Sequence, residues 1–244
     1  MIEKLLAKLR RYDTLSEEEE QALHAAAGEI LDYPRGATLI RARTELSSST
    51  LLIDGLVNSF RDIEDGSRQA VQFAVPGDFI DLHSLLMKQV DHNLEALSDC
   101  RVVKFPHERL IQITRTHDHL TRLLWLSTTI DGAIERETIT SLGVRSAISR
   151  LAHLFCELQQ RLEVVGLAAP RIEESCSYRL QLNQGRLSEI LGMTTVHVNR
   201  MLRQLRERGL LTFKEDRVEI DNWSGLAALA EFDPFYLGLR QRPR

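Results

Sequence analysis

The residues whose types and spacing best suit a defined chemistry lie in Asn183 to Arg208, NQGRLSEILGMTTVHVNRMLRQLRER. Thr194, Thr195, His197, Asn199, Arg200, Arg203 and Arg206 fall within one predicted helical stretch. One side of it then presents hydroxyls, an imidazole, an amide and guanidinium groups. These are the groups that read nucleic acid. Arginine pairs bidentately with guanine O6 and N7, and asparagine with adenine N6 and N7. Arg200 and Asn199 are the candidates for those base contacts. Arg203 and Arg206, farther along, suit phosphates, which position a protein without specifying sequence. His197 and the two threonines suit a phosphate or a base edge. Val198, Met201, Leu202 and Leu205 recur on the other side at helical spacing, so the same segment carries a stripe to bury.

A reading helix must be held outward by something. Upstream, Leu187, Ile190 and Leu191 form the apolar face of a first helix, which Asn183 can cap. Gly192-Met193 makes a tight turn, with glycine free to take a left-handed conformation. Thr194 can cap the second helix. Two helices joined in this way are a helix-turn-helix, whose second helix puts its N-terminal residues into the major groove. Downstream, Leu210 to Phe213 and Val218 to Ile220 flank the charged turn Lys214-Glu215-Asp216-Arg217. That reads as a β-hairpin, making a winged helix. Lys214 is a further phosphate candidate, and Arg217 could join it, beside two acids.

The remaining chain falls into three textures. Residues 1–30 read as helical, with a capping box at Ser16 and Glu19. From Leu31 to Phe105, short apolar runs alternate with turn signals at Pro34-Arg35-Gly36, Asp54-Gly55, Asp65-Gly66 and Pro76-Gly77. That pattern predicts a small antiparallel barrel or jelly roll, able to enclose a small-molecule cavity. From His107 to Val165 there is no proline; Leu120, Leu123, Leu124, Ser127, Ile130 and Ile134 recur at steps of three and four. These form one stripe on a long helix, and a coiled coil with a second copy is the expected way to bury it. Gly143 is expected to interrupt that helix, a second amphipathic helix follows, and Gly166 to Cys176 reads as a loop. The expected organisation is a β-roll sensor with an N-terminal helix over 1–115, a dimerisation helix over 116–143 and a winged helix-turn-helix over 144–244.

Composition bounds the remaining choices. The chain has 244 residues, 43% hydrophobic and 27% charged, with a net charge of −4. The charge is uneven: residues 1–164 hold 19 basic and 25 acidic side chains, whereas residues 186–217 hold 7 basic and 4 acidic. Basicity therefore gathers around the helix-turn-helix. Three distant cysteines, Cys100, Cys156 and Cys176, with no CxxC pair, argue against a disulfide scaffold or zinc site and favour the cytoplasm. No run is long enough to span a membrane, and the N-terminus lacks a signal-peptide core. His117 and His119 lie on different helix faces, and no metal site is expected. There is no phosphate loop, no GxSxG and no zinc signature, so no catalytic residues are nominated. Asp81-Leu82-His83-Ser84 alone does not define a triad.

Taken in order, these segments resemble the Crp/Fnr family of bacterial transcription regulators. The resemblance covers essentially the whole chain: a roll with Pro76-Gly77-Asp78, a long helix, and LGMTTVHVNRMLRQLRERGLL from Leu191 to Leu211. It implies an α+β fold with an N-terminal cyclic-nucleotide-binding-like β-roll, a dimerisation helix and a C-terminal winged helix-turn-helix. It further implies a homodimer that binds double-stranded DNA under the control of a small effector, with RNA polymerase as a further partner. Asp78, Phe79, His83, His92 and Asn93 are the expected effector-pocket residues. The chain departs from the family's cofactor patterns. Val90 to Glu95 lacks the Arg-Ser pair that holds a cyclic phosphate, and Asp91 and Glu95 would repel one, which argues against cAMP. No cysteine precedes Cys100, which argues against an iron–sulfur cluster, and a lone His83 or His92 is weak support for haem. Two alternatives stay open: an interaction protein using the winged helix for protein contacts, and a DNA binder without an effector.

Overall fold

The structure is a computed structural model that describes residues 1–62 and 68–243. The expected turn at Asp65-Gly66 lies outside the described residues. The N-terminal stretch forms two helices, α1 (Glu3–Tyr12) and α2 (Glu17–Ala26). The capping box is present: Ser16 accepts from the Glu19 amide, and the Glu19 carboxylate accepts from the Ser16 amide at 2.8 Å.

The roll follows as β1 (Ile30–Tyr33), β2 (Thr38–Ile40), β3 (Ser48–Asp54), β4 (Val57–Asp62), β5 (Arg68–Ala74), the short helix α3 (Ser84–Met87), β6 (Asn93–Ala96) and β7 (Cys100–Pro106). It consists of two antiparallel sheets, ordered β1-β7-β3 and β2-β6-β4-β5. Leu52, Val57, Leu94, Ala96 and Val102 belong to the core of the roll. Gly77, in the turn after β5, has φ +96°, and a Cβ there would meet the Lys4 carbonyl oxygen at 2.9 Å. Only glycine lets α1 approach this turn so closely.

Two helices then lead to α6: α4 (His107–Thr116) and the 27-residue α5 (Asp118–Val144). The glycine at position 143 does not interrupt α5. The break comes after Val144, where Ser146 takes extended backbone and caps α6 (Ala147–Val164) by accepting from the Ser149 amide. Leu120, Leu123, Leu124, Ser127, Ile130 and Ile134, expected to face a second copy, are instead buried within the protomer. The apolar members of this stripe share a core with Leu5, Leu6 and Leu9 of α1, and with Val103, Phe105 and Leu237. The longest apolar stripe is the one the chain itself covers. On the outer side of α5, Trp125 and Ile139 are 72% and 69% exposed.

The C-terminal part comprises β8 (Cys176–Arg179), α7 (Gln184–Leu191), α8 (Thr195–Glu207), β9 (Leu211–Lys214), β10 (Arg217–Ile220), α9 (Trp223–Ala230) and a 3₁₀ turn (Pro234–Leu237). The wing is a three-stranded sheet ordered β8-β10-β9. The added strand β8 begins where a loop was expected to end. Its four residues carry no apolar run, and its pairing with β10 is what makes it a strand. The C-terminal segment returns to the long helices: Leu237 is buried, and the Arg242 amide donates to the Tyr12 carbonyl at 3.0 Å.

Candidate nucleic-acid interface and roll cavity

The helix-turn-helix is assembled by its caps. The Asn183 side chain accepts from the Arg186 amide at 2.9 Å, which starts α7. Gly192 ends α7 at φ +60°, and Thr194 Oγ1 accepts from the His197 amide at 3.2 Å, which starts α8. Val198, Met201, Leu202 and Leu205 are buried in a core shared with Leu151, Phe155 and Leu158 of α6. Burying that stripe turns the other side of α8 outward.

The outward side is close to the one read from the residue types. Thr194, Thr195, Asn199, Arg200, Arg203 and Arg206 are exposed, and His197 is half-buried. Arg200, Arg206 and Lys214 have no acidic partner among the described residues; Lys214 is exposed at the wing turn. Arg203 is engaged by Glu207 at 2.7 Å, and Asn199 Nδ2 donates to the Thr195 carbonyl at 3.0 Å. In the wing, Arg217 is held by Glu219 at 2.9 Å. Arg186, counted in the basic segment, faces away from this side: it pairs with Glu189 at 2.8 Å and with Glu95 of the roll. Residue types alone missed Val196, which is 80% exposed in the first turn of α8. They also missed Gln184 and Thr212, which line a groove of about 640 Å³ together with Asn199, Arg200 and Arg206. Helical spacing could have found Val196; only packing puts Gln184 and Thr212 beside the arginines.

A cavity of about 460 Å³ lies between the roll and α5. Phe79, His83 and His92 line it, joined by Asp91, Asp131 and Glu135, which the pocket expectation did not include. The two imidazole rings lie with centroids 5.5 Å apart. His92 Nδ1 lies 2.9 Å from Asp91 Oδ1, and the other Asp91 oxygen accepts from Arg61. Burial, and next the proximity of His92, lower the pKa of His83. The His92 hydrogen bond holds Asp91 below the ordinary carboxylate value, whereas burial pushes Glu135 up.

Two expected pocket residues are elsewhere. Asp78 is buried in an ion cluster, with Lys8 Nζ and an Arg161 nitrogen each 2.7 Å from its carboxylate. It also accepts from the Val75 amide at 2.9 Å, closing the turn. Its acidity serves the fold. Asn93 accepts from the Ala42 amide at 2.9 Å and donates to Asp62 at 3.2 Å, which ties the start of β6 to the loop after β2 and to the end of β4. Nor does the Asp91 to Glu95 stretch suit an anionic phosphate. Glu95 is taken by Arg68 and Arg186, and Arg61 by Asp91.

A β-roll joined by a long helix to a winged helix-turn-helix defines a class of DNA-binding regulators. Comparison with known proteins agrees with that class. Residues 30–117 match the cyclic nucleotide-binding domain, and residues 149–229 match the Crp-like helix-turn-helix domain. The chain is 27% identical over 219 residues to the fumarate and nitrate reduction regulatory protein of Salmonella typhi, covering 89% of this chain and 84% of that protein. The protein of that name from Escherichia coli K12 is 26% identical over the same length. Among solved structures, FixK2 from Bradyrhizobium japonicum superposes with a TM-score of 0.72 at 23% identity, over 83% of this chain and 96% of that one. The chain belongs to the Crp/Fnr family. It is a DNA-binding transcription regulator. Among the described residues no helix is long and apolar enough to cross a membrane.

Proposed function

We propose that this regulator acts as a homodimer, reads DNA with the outward side of α8, and is controlled by an effector in the cavity between the roll and α5. The observation that carries the reading is the exposed Asn199-Arg200 pair near the start of α8, whose guanidinium has no acidic partner among the described residues. Arg200 pairs with guanine, Asn199 exchanges its intrahelical bond for adenine, and the Val196 side chain meets a thymine methyl. Thr194, Thr195 and His197 contact the backbone or base edges nearby. Arg203, Arg206 and Lys214 lie on phosphates, Arg203 leaving Glu207 to do so.

The dimer reading rests on the outer side of α5. Trp125, Thr129, Gly132, Arg136, Ile139 and Gly143 are spaced by alternating steps of four and three, the repeat of a coiled-coil seam. Five of the six are exposed and Gly132 is half-buried. Small residues along the seam allow close approach of a second helix, with Trp125 and Ile139 as apolar anchors. A twofold pair would place half-sites about 34 Å apart, one helical turn of DNA. An effector works here by binding the DNA-competent arrangement better than the other. The acids around the cavity disfavour an anionic effector.

Selection of bound duplexes from a random pool, followed by affinity against salt concentration, tests this reading. The expected result is a palindrome with half-sites one turn apart and a steep negative salt slope. Lack of enrichment with and without candidate effectors would favour protein contacts by the winged helix instead.

A further inference from the structure

We propose that the cavity between the roll and α5 binds a divalent first-row transition-metal ion through His83, His92 and Glu135 of α5, with Asp91 holding the His92 ring in place. The proposal deepens the effector reading above and rests on it. One ligand atom each of His83, Asp91 and His92 lies within 4.8 Å of the other two. Donors bound to such an ion at about 2.0–2.2 Å sit about 3–3.5 Å from one another. Small side-chain rotations therefore close the site.

The hydrogen bonding leaves nitrogen lone pairs to spare. His92 is buried, and its Nε2 has no hydrogen-bond partner among the described residues. Its Nδ1 meets the Asp91 carboxylate at 2.9 Å, the arrangement by which carboxylates orient metal-binding imidazoles. In that tautomer Nε2 is the free acceptor. His83, with its ring beside that of His92, likewise makes no side-chain hydrogen bond among the described residues.

Charge and donor type select the ligand. Among the described residues lining the cavity, Asp91, Asp131 and Glu135 face one cationic side chain, Arg61, which favours a positive guest. Imidazole mixed with carboxylate suits zinc, nickel, cobalt or ferrous ions over magnesium and calcium, which prefer oxygen donors alone. The donors come from separate elements: His83 precedes α3, His92 precedes β6, and Glu135 lies on α5. A bound ion would tie the loops of the roll to the helix that carries the seam, and so couple cavity occupancy to the spacing of the reading helices.

The test uses the full chain, treated with chelator and dialysed, then titrated with Co²⁺ and followed by its visible absorption. The expected result is one ion per protomer, displaced by Zn²⁺, with His83→Gln and His92→Gln each weakening binding about tenfold or more. His24→Gln, at an exposed histidine on α2, should leave binding unchanged. His83→Gln removes a ring that holds no other group by a hydrogen bond, so the fold should persist in that variant, and the wild-type spectrum needs no variant at all. Binding no tighter than in the His83→Gln/His92→Gln double variant would overturn the metal site while leaving the effector reading to organic ligands. Site-specific binding that leaves DNA affinity unchanged would support the metal site and overturn effector control through this cavity.

Discussion

The guanidinium of Arg200 stands exposed without an acidic partner among the described residues, so it is free to meet a base. Arg200→Ala should therefore weaken binding to the selected site by about 1–3 kcal/mol and relax preference at one base pair. Competition binding against single-base variants of that site measures both, and unchanged affinity would refute the assignment. Arg206, farther along α8, should behave differently. Arg206→Ala is expected to weaken every sequence about equally and to reduce the salt slope by about one. A loss confined to one sequence would contradict the phosphate role. At this scale the outward polar side of α8 was legible because cap, apolar stripe and polar face are all local properties of a helix. The lining of the cavity was not. Asp78 and Asn93 have the right chemistry, but their hydrogen bonds go to Lys8, Arg161, Ala42 and Asp62, partners that no local pattern reveals.

Among the elements, α5 carries two stripes that make opposite predictions. Ile130 is buried against the protomer's own core, so Ile130→Ala should cost about 2–5 kcal/mol of stability, read from urea unfolding. Ile139 is exposed in the protomer. Ile139→Lys should leave the thermal transition of the protomer nearly unchanged while shifting the sedimentation species from dimer to monomer. A dimer undisturbed by that substitution would place the interface elsewhere. The helix itself was legible from periodicity, but which of its sides stays exposed was not. Period alone states that a stripe is buried, and says nothing of whether the same chain or another covers it. Strand β8 was missed for a related reason: its pairing with β10 links Cys176 to Ile220, far apart in sequence.

Across the whole molecule, the winged domain is tied to the roll by buried charge. Arg161 of α6 bridges Asp78, Glu157 and the Phe73 carbonyl, while Lys8 of α1 closes on Asp78 from the other side. Burial alone would push the Asp78 carboxyl up, but the charges of Lys8 and Arg161 and the hydrogen bonds it accepts hold it below the ordinary 3.8. Its folded pKa thus lies below its unfolded one. The cluster's contribution is fully present above the unfolded value and is lost as pH falls through the folded one. Asp78→Asn takes the carboxylate from Lys8 and leaves Arg161 with Glu157 alone, and should cost about 3–5 kcal/mol at neutral pH. Urea midpoints measured between pH 7 and pH 3 should show the difference between wild type and variant shrinking below about 3.8. A difference independent of pH would show that Asp78 is not the group whose charge joins the two domains.

By itself the sequence determined most of the elements, the order of roll, long helix and winged helix-turn-helix, and the outward polar side of α8. Each follows from periodicity, caps and turns within a few residues. Tertiary structure decided which side of α5 stays free, that Arg186 is engaged with Glu95 and does not face outward with α8, and that His83, Asp91 and His92 share a cavity with Glu135. These are encounters between residues distant in sequence. Only packing sets them, because side-chain contacts depend on how sheets and helices close on one another, which composition and spacing do not encode locally.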